Sequence, residues 1–208
     1  KLLREIIYGV SILEIKGNTN IAIEKLTFDS RQVQNLSLFV AVVGSKSDGH
    51  DFISNAENAG VSAIICETFP ENLKEDVTYI KVPDSSSALG LIASNFYDNP
   101  SEKLQLIGIT GTNGKTTCAT ILYDLFRLLG FKTGLISTVN ISVLHKTYAS
   151  THTTPDAIRI NEVLHEMVST GCTHAFMEVS SHALDQNRIH GLKFKIAVFT
   201  NISRDHLD

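Results

Sequence analysis

At 208 residues the chain is long enough for one large domain or two small ones, each able to bury a core. A hydrophobic share of 43% with 19% charged residues fits an ordinary α/β protein, and a formal net charge of −4 gives no broad basic face for nucleic acid. No apolar run approaches the roughly 20 residues of a membrane span, no signal peptide is visible behind Lys1, and Cys66, Cys118 and Cys172 form neither a C-x-x-C pair nor a metal spacing. A cytoplasmic location is therefore expected, with Cys66 and Cys118 as packing residues.

In chain order, Lys25–Phe28 and Leu38–Gly44 read as strands, the second apolar enough to be buried on both faces. Phe52–Ala59, stopped by Gly60, reads as a short helix, and Val61–Cys66 and Val77–Val82 as further strands. This alternation predicts a small βαβ-type domain over residues 1–84. Pro83 and Asp84 then break the chain and cap a helix over Ser85–Tyr97. The second half, 85–208, keeps the alternation. Leu104–Ile109 is a strand, and the helix after residue 114 has one face marked by Ala119, Leu122, Phe126 and Leu129, with Gly130 ending it. Thr133–Thr138 is a strand. A helix is expected to start at Thr154-Pro155-Asp156, capped by the Thr154 hydroxyl, with Ile160, Val163, Leu164 and Met167 as its apolar stripe. Ala175–Val179 and Ile196–Thr200 read as two buried strands.

The informative run is Gly111-Thr112-Asn113-Gly114-Lys115-Thr116-Thr117, placed between an apolar strand and a helix start. Glycines let backbone N–H groups close around phosphate oxygens, and the helix N-terminus adds partial positive charge. Lys115 has the reach for outer phosphates, and the Thr116 hydroxyl suits a magnesium ion. The loop is a variant of G-x-x-x-x-G-K-[ST], because Ile109 stands where the first glycine belongs.

Polar groups follow the last two predicted strands. Glu178 closes one, and Asn201-Ile202-Ser203-Arg204-Asp205-His206 follows the other. Ligands collect at the carboxyl ends of strands in open α/β sheets, so a carboxylate there is a partner for magnesium on a nucleotide; the bland alternative is a surface acid. His206 is either a metal ligand or a hydrogen-bonded loop residue. Ser180-Ser181-His182 does not make a hydrolase, since no G-x-S-x-G elbow exists and adjacent residues rarely pair as nucleophile and base. With Gln186 and Arg188 that segment offers hydroxyl, amide and guanidinium donors to an anion. His152-Thr153-Thr154 either holds an anion or simply caps a helix.

Taken together, Asp29-Ser30-Arg31, Leu38-Phe39-Val40-Ala41, Asp48-Gly49, the loop at 111–116, Thr153-Thr154, Glu178-Val179-Ser180-Ser181-His182 and Asn201–Asp208 resemble the Mur ligase family. The resemblance runs from about Lys25 to the last residue, and is nearest to members that add the third residue to UDP-N-acetylmuramoyl-L-alanyl-D-glutamate. It implies a small Rossmann-like N-terminal domain, then part of a P-loop-type mononucleotide-binding domain with a mainly parallel sheet. It also implies an ATP-dependent amide ligase of peptidoglycan precursor synthesis, acting through an acyl phosphate with ATP and Mg2+.

By the same resemblance, Gly111–Thr117 hold ATP, while Thr116 and Glu178 hold magnesium and His206 a second magnesium ion. Lys115, Glu178 and His206 carry the chemistry. Phe28, Ser30 and Ser45-Lys46-Ser47 contact the uridine end of the precursor. His152, Thr153, Thr154, Ser180, Gln186 and Arg188 contact its muramoyl-peptide. The expected partners are that precursor and an amino acid, diaminopimelate or lysine, with no nucleic acid and no membrane. Family members continue through a carbamylated lysine and an amino-acid-selecting domain, so the chain is expected to be an inactive N-terminal fragment. A different P-loop NTPase, or a non-catalytic binding module, are the alternatives.

Overall fold

The computed structural model describes residues 1–44, 47–150 and 152–203. It divides into two units, Lys1–Phe96 and Tyr97–Asp208. The first unit holds a five-stranded sheet of β1 (Glu14–Lys16), β2 (Lys25–Thr27), β3 (Ser37–Val40), β4 (Ala63–Cys66) and β5 (Thr78–Lys81), in the order β1-β5-β4-β3-β2. The last four pair in parallel, and β1 closes the edge antiparallel to β5. Every residue of β3 and β4 is buried, which explains why both read as continuous apolar runs. Phe39, Ile64 and Tyr79 face a core shared with Ile53 and Ala56 of α2 (Ile53–Asn58), whose crossover joins β3 to β4. Leu38, Val40, Ile65 and Ile80 alternate with them and are as fully buried on the opposite face.

The boundary lies after Phe96, not at residue 84. The physical reason is that helix α3 (Ser85–Phe96) is tied at both ends to the first unit. At its start Ser85 donates from its backbone N–H and its hydroxyl to Glu67 Oε1 (2.8 and 2.7 Å), and Asp84 Oδ1 accepts from Ser87 N–H at 2.9 Å as the expected cap. At its end Asn95 Nδ2 donates to the carbonyls of Ile6 and Tyr8, both at 2.8 Å, which fixes α1 (Leu3–Ile6).

The second unit is a six-stranded sheet in the order β11-β6-β10-β7-β8-β9. Its parallel part comprises β6 (Gln105–Thr110), β7 (Thr133–Ile136), β10 (His174–Glu178) and β11 (Ile196–Phe199). The hairpin of β8 (Asn140–Val143) and β9 (Lys146–Ala149) extends it antiparallel from β7. Helix α4 (Lys115–Leu128) covers one face through Ala119 and Tyr123 over Ile107, Ile109, Leu135 and Phe176. On the other face lies α5 (Ala157–Ser169), whose Ile160, Val163, Leu164 and Met167 are all fully buried, as its stripe predicts. α5 packs so closely that a Cβ on Gly134 of β7 would fall 2.3 Å from Met167 Sδ.

Four local expectations change. Leu129 is 63% exposed and Tyr123 takes its place on the buried face, because position 129 lies beyond the last turn of α4. β11 is not buried: it stands at the sheet edge, with Ile196 56% and Phe199 61% exposed. The β8–β9 hairpin is not foreseen, since its turn, Leu144-His145, carries no glycine or asparagine and Leu144 itself takes φ of 52°. Asp156, rather than Thr154, caps α5: its Oδ1 accepts from Arg159 N–H at 2.9 Å.

Candidate active site

The glycine-rich loop leaves β6 at Thr110 and enters α4 at Lys115. Gly111 and Gly114 hold φ of 131° and 83°, angles that side chains with a Cβ rarely adopt, and Gly114 is the N-cap. Among the described residues no side chain caps this helix end, so the first amides of α4 have neither an intrahelical acceptor nor a described capping oxygen. The Lys115 ammonium folds back over the loop, donating to the carbonyls of Gly111 (2.7 Å) and Thr112 (2.9 Å).

Parallel pairing places β10 beside β6 in a register that sets Glu178 opposite Ile109, one step before the loop. Glu178 is fully buried, which removes the surface-acid reading. Thr116 Oγ1 donates to its Oε2 at 2.9 Å; Thr138 donates from its N–H to Oε1 at 2.8 Å and from its hydroxyl to Oε2 at 3.1 Å. Among the described residues no cation pairs with this carboxylate. Taking a carboxylate out of water costs desolvation, and a hard cation at its oxygens offsets that cost. The ligand atoms at hand are oxygens, those of the Glu178 carboxylate and of the Thr116 and Thr138 hydroxyls. Among the described residues no group of three or more His, Cys, Asp or Glu could hold a metal, so further ligands would come from water and phosphate, as magnesium commonly has them.

A cleft of about 940 Å³ opens beside the loop, and Lys115, Thr153, Ser180, Gln186, Arg188 and Asn201 are among its lining residues. His152 and Thr154 line it too, so the structure brings all six second-half substrate candidates to one wall system. Thr154 is the joint: its buried hydroxyl donates to the Glu178 carbonyl at 2.9 Å and accepts from Ser180 N–H at 3.0 Å. Arg188 is latched inward, with Nη1 donating to the Thr154 carbonyl at 2.7 Å and Nε and Nη2 donating to Gln186 Oε1 at 3.0 and 2.7 Å. Ser180 Oγ accepts from Ala183 N–H at 3.2 Å and so caps the short helix α6 (Ser181–Asp185).

In the first unit, Ser30 opens a single helical turn capped by Asp29, and Phe28 beside it is 43% exposed. Arg31 chelates Asp29 through Nε (2.9 Å) and Nη2 (2.8 Å), and that hydrogen-bonded guanidinium holds the Asp29 carboxyl below its usual range. Ser47 accepts from Gly44 N–H at 3.0 Å through its carbonyl. Ser45, Lys46 and His206 lie outside the described residues.

Sequence reading misses Thr138 and leaves Asn201 without a role. Both stand just past the carboxyl ends of parallel strands, β7 and β11, which is the signal that could have singled them out.

The model of the Mur ligase family catalytic domain matches residues 22–97, and that of the Mur ligase middle domain matches residues 109–208. The chain belongs to the Mur ligase family. A relative named UDP-N-acetylmuramoyl-L-alanyl-D-glutamate--2,6-diaminopimelate ligase, from Cytophaga hutchinsonii, is 54% identical over 99% of this chain and 43% of its own length. A Bacteroides fragilis protein of the same name is 50% identical over 99% of this chain and 42% of its own length. A solved structure of a Mur ligase of that name superposes with a TM-score of 0.80 at 28% identity, covering 100% of this chain and 42% of that one. A D-alanyl-D-alanyl-adding Mur ligase from Acinetobacter baumannii, 19% identical with a TM-score of 0.59 over 95% of this chain and 40% of its own, shares the fold. The chain thus spans about 43% of the length of the curated Mur ligases it matches.

Proposed function

We propose that this chain supplies the nucleotide- and precursor-binding part of a cytoplasmic, ATP-dependent amide ligase that adds diaminopimelate to UDP-N-acetylmuramoyl-L-alanyl-D-glutamate. The observation that carries this reading is the buried contact between Thr116 of the loop and Glu178 of β10, beside a cleft lined by hydroxyl, amide and guanidinium groups.

In this reading the first unit holds the uridine end of the precursor through Phe28, Ser30 and Ser45-Lys46-Ser47. Thr153, Thr154, Ser180, Gln186 and Arg188, with His152 at the rim, orient the muramoyl-peptide so that its carboxylate meets the terminal phosphate of ATP. Gly111–Thr117 cradle the triphosphate, chiefly through the backbone amides of Lys115, Thr116 and Thr117 in the first turn of α4. Two anions must approach each other, so repulsion has to be offset before transfer occurs. The Lys115 ammonium leaves the loop carbonyls for the outer phosphates, and Thr116 and Glu178 would hold magnesium, with His206 a candidate for a second ion. Magnesium, when bound, supplies charge neutralisation on the phosphates. The carboxylate oxygen attacks the terminal phosphorus and ADP leaves; the amine of the amino acid then attacks the acyl carbon, gives up a proton to solvent and expels phosphate. Preorganised donors around the developing charge supply most of such an acceleration.

The test is ADP and phosphate release by the complete ligase, measured with the precursor, the amino acid, both or neither. Release that requires both supports the reading, and release indifferent to the precursor would mean another kind of P-loop NTPase.

A further inference from the structure

The side of the glycine-rich loop away from Glu178 is gripped by the residues that follow β11. Thr200 N–H donates to the Thr110 carbonyl at 2.9 Å, and its hydroxyl donates to the Asn113 carbonyl at 2.7 Å. Asn201 pairs with the backbone of Asn113 in both directions: Asn113 N–H donates to Oδ1 at 3.1 Å, and Nδ2 donates to the Asn113 carbonyl at 3.0 Å. The Asn201 carbonyl accepts from Thr112 N–H at 2.9 Å, while Thr112 Oγ1 accepts from Ser203 N–H at 2.9 Å. Packing gives independent support. A Cβ on Gly111 would lie 2.2 Å from Thr200 Oγ1 and 2.8 Å from the Asn201 carbonyl, so the segment is seated directly against the loop.

These bonds divide the loop's donors. The amides of Thr112 and Asn113 are taken by Asn201, whereas those of Lys115, Thr116 and Thr117, the first turn of α4, have no intrahelical acceptor. A loop rich in glycine is costly to order, and a ligand that has to order it binds more weakly by that amount. We propose that Thr200 and Asn201 are positioning residues that hold the loop in its triphosphate-binding shape before the nucleotide arrives. Neither acts on the reacting atoms; they act through the backbone of Asn113 and Thr112. The inference rests on the loop binding ATP, as proposed above.

Calorimetric titration of the complete ligase with ATP and magnesium tests it, using Asn201→Ala, Asn201→Asp, Thr200→Val and Thr200→Ser with a thermal melt of each in the absence of nucleotide. Loss of side-chain bonds of this kind should weaken ATP binding about tenfold in Asn201→Ala and Thr200→Val. Thr200→Ser keeps the donor and should bind as the parent does. Asn201→Asp keeps the acceptor but sets a carboxylate oxygen against the Asn113 carbonyl and adds negative charge beside the phosphates, so it should bind ATP at least as weakly as Asn201→Ala. A purely structural role would lower the melting midpoint and leave ATP affinity unchanged, and that result overturns the proposal. If Asn201→Ala does not fold, the Thr200 pair decides. Failure of the parent itself to bind ATP removes the nucleotide-site reading, whereas parental binding with unchanged variants removes only the positioning role.

Discussion

Thr116 and Glu178, 62 residues apart in sequence, meet at 2.9 Å with the carboxylate fully buried. The hydroxyl of the loop and the acid of the neighbouring strand form one unit, braced from the far side by Thr138. Each of the three residues can be altered without removing the other two.

Glu178→Gln removes the charge and keeps the shape. Its amide oxygen can still accept from Thr138 N–H, and the Thr116 and Thr138 hydroxyls can turn to accept from the amide nitrogen. The variant should therefore fold, and ligase activity should require about tenfold or more magnesium, since a neutral oxygen is a poorer ligand for a hard cation. A magnesium titration overlaying that of the parent would leave Glu178 with a structural task only.

Lys115→Ala should leave the melting midpoint close to the parent's, because among the described residues the ammonium is bonded only to loop carbonyls of Gly111 and Thr112. Losing one preorganised charge on a reacting phosphate should lower kcat on the order of a hundredfold or more. Steady-state turnover with ATP, precursor and amino acid all saturating measures it, and parental turnover would contradict the assignment of the loop.

Thr138→Val deletes one hydroxyl donor to Glu178 while the backbone N–H bond at 2.8 Å remains. The expected loss is about 1 kcal/mol of stability, together with a shift in magnesium requirement smaller than that of Glu178→Gln. Denaturant melts and the magnesium titration check the two halves separately. A magnesium shift equal to that of Glu178→Gln would mean that Thr138 does more than orient the acid.

His174 packs against the rings of Phe126 (4.9 Å) and Phe131 (4.8 Å), and burial there holds its pKa below the ordinary histidine value. A lowered folded pKa means that protonation favours the unfolded chain. Its stabilising effect is complete above the unfolded value, about 6.5, and is lost as pH falls through the folded value. His174→Gln should therefore flatten part of the stability loss on the acid side of neutrality. Superimposable stability-against-pH curves for variant and parent would show that another group is responsible.

The local grammar of the chain is legible in its residues. Alternating apolar runs and turns mark most of the strands, the spacing of Ile160, Val163, Leu164 and Met167 defines the buried face of α5, and Gly111–Thr117 announces a loop at a helix start. Such features depend on neighbours within a turn or a strand. The hairpin of β8 and β9 is not legible, because its turn at Leu144 lacks the residues that usually adopt a positive φ. The cap of α5 lies two residues beyond the expected one because Thr154 and Asp156 are equally good capping chemistries, and only the position of β10 draws the Thr154 hydroxyl to the Glu178 carbonyl.

Sheet order is decided by tertiary structure alone. β6, β10 and β11 are similar apolar runs, and nothing in their composition says that β6 lies between the other two. That order brings Glu178 from one side and Asn201 from the other onto the same loop, and it leaves β11 exposed although its sequence reads as buried. The unit boundary follows the same logic, since α3 belongs with whatever satisfies its ends, and those partners, Glu67, Ile6 and Tyr8, are distant in sequence. The amino-acid sequence by itself determined which segments could be strand, helix or anion-binding loop, because backbone angles and apolar spacing are local properties. Which polar groups converge on that loop was settled only by packing, because long-range contacts depend on how whole elements stack.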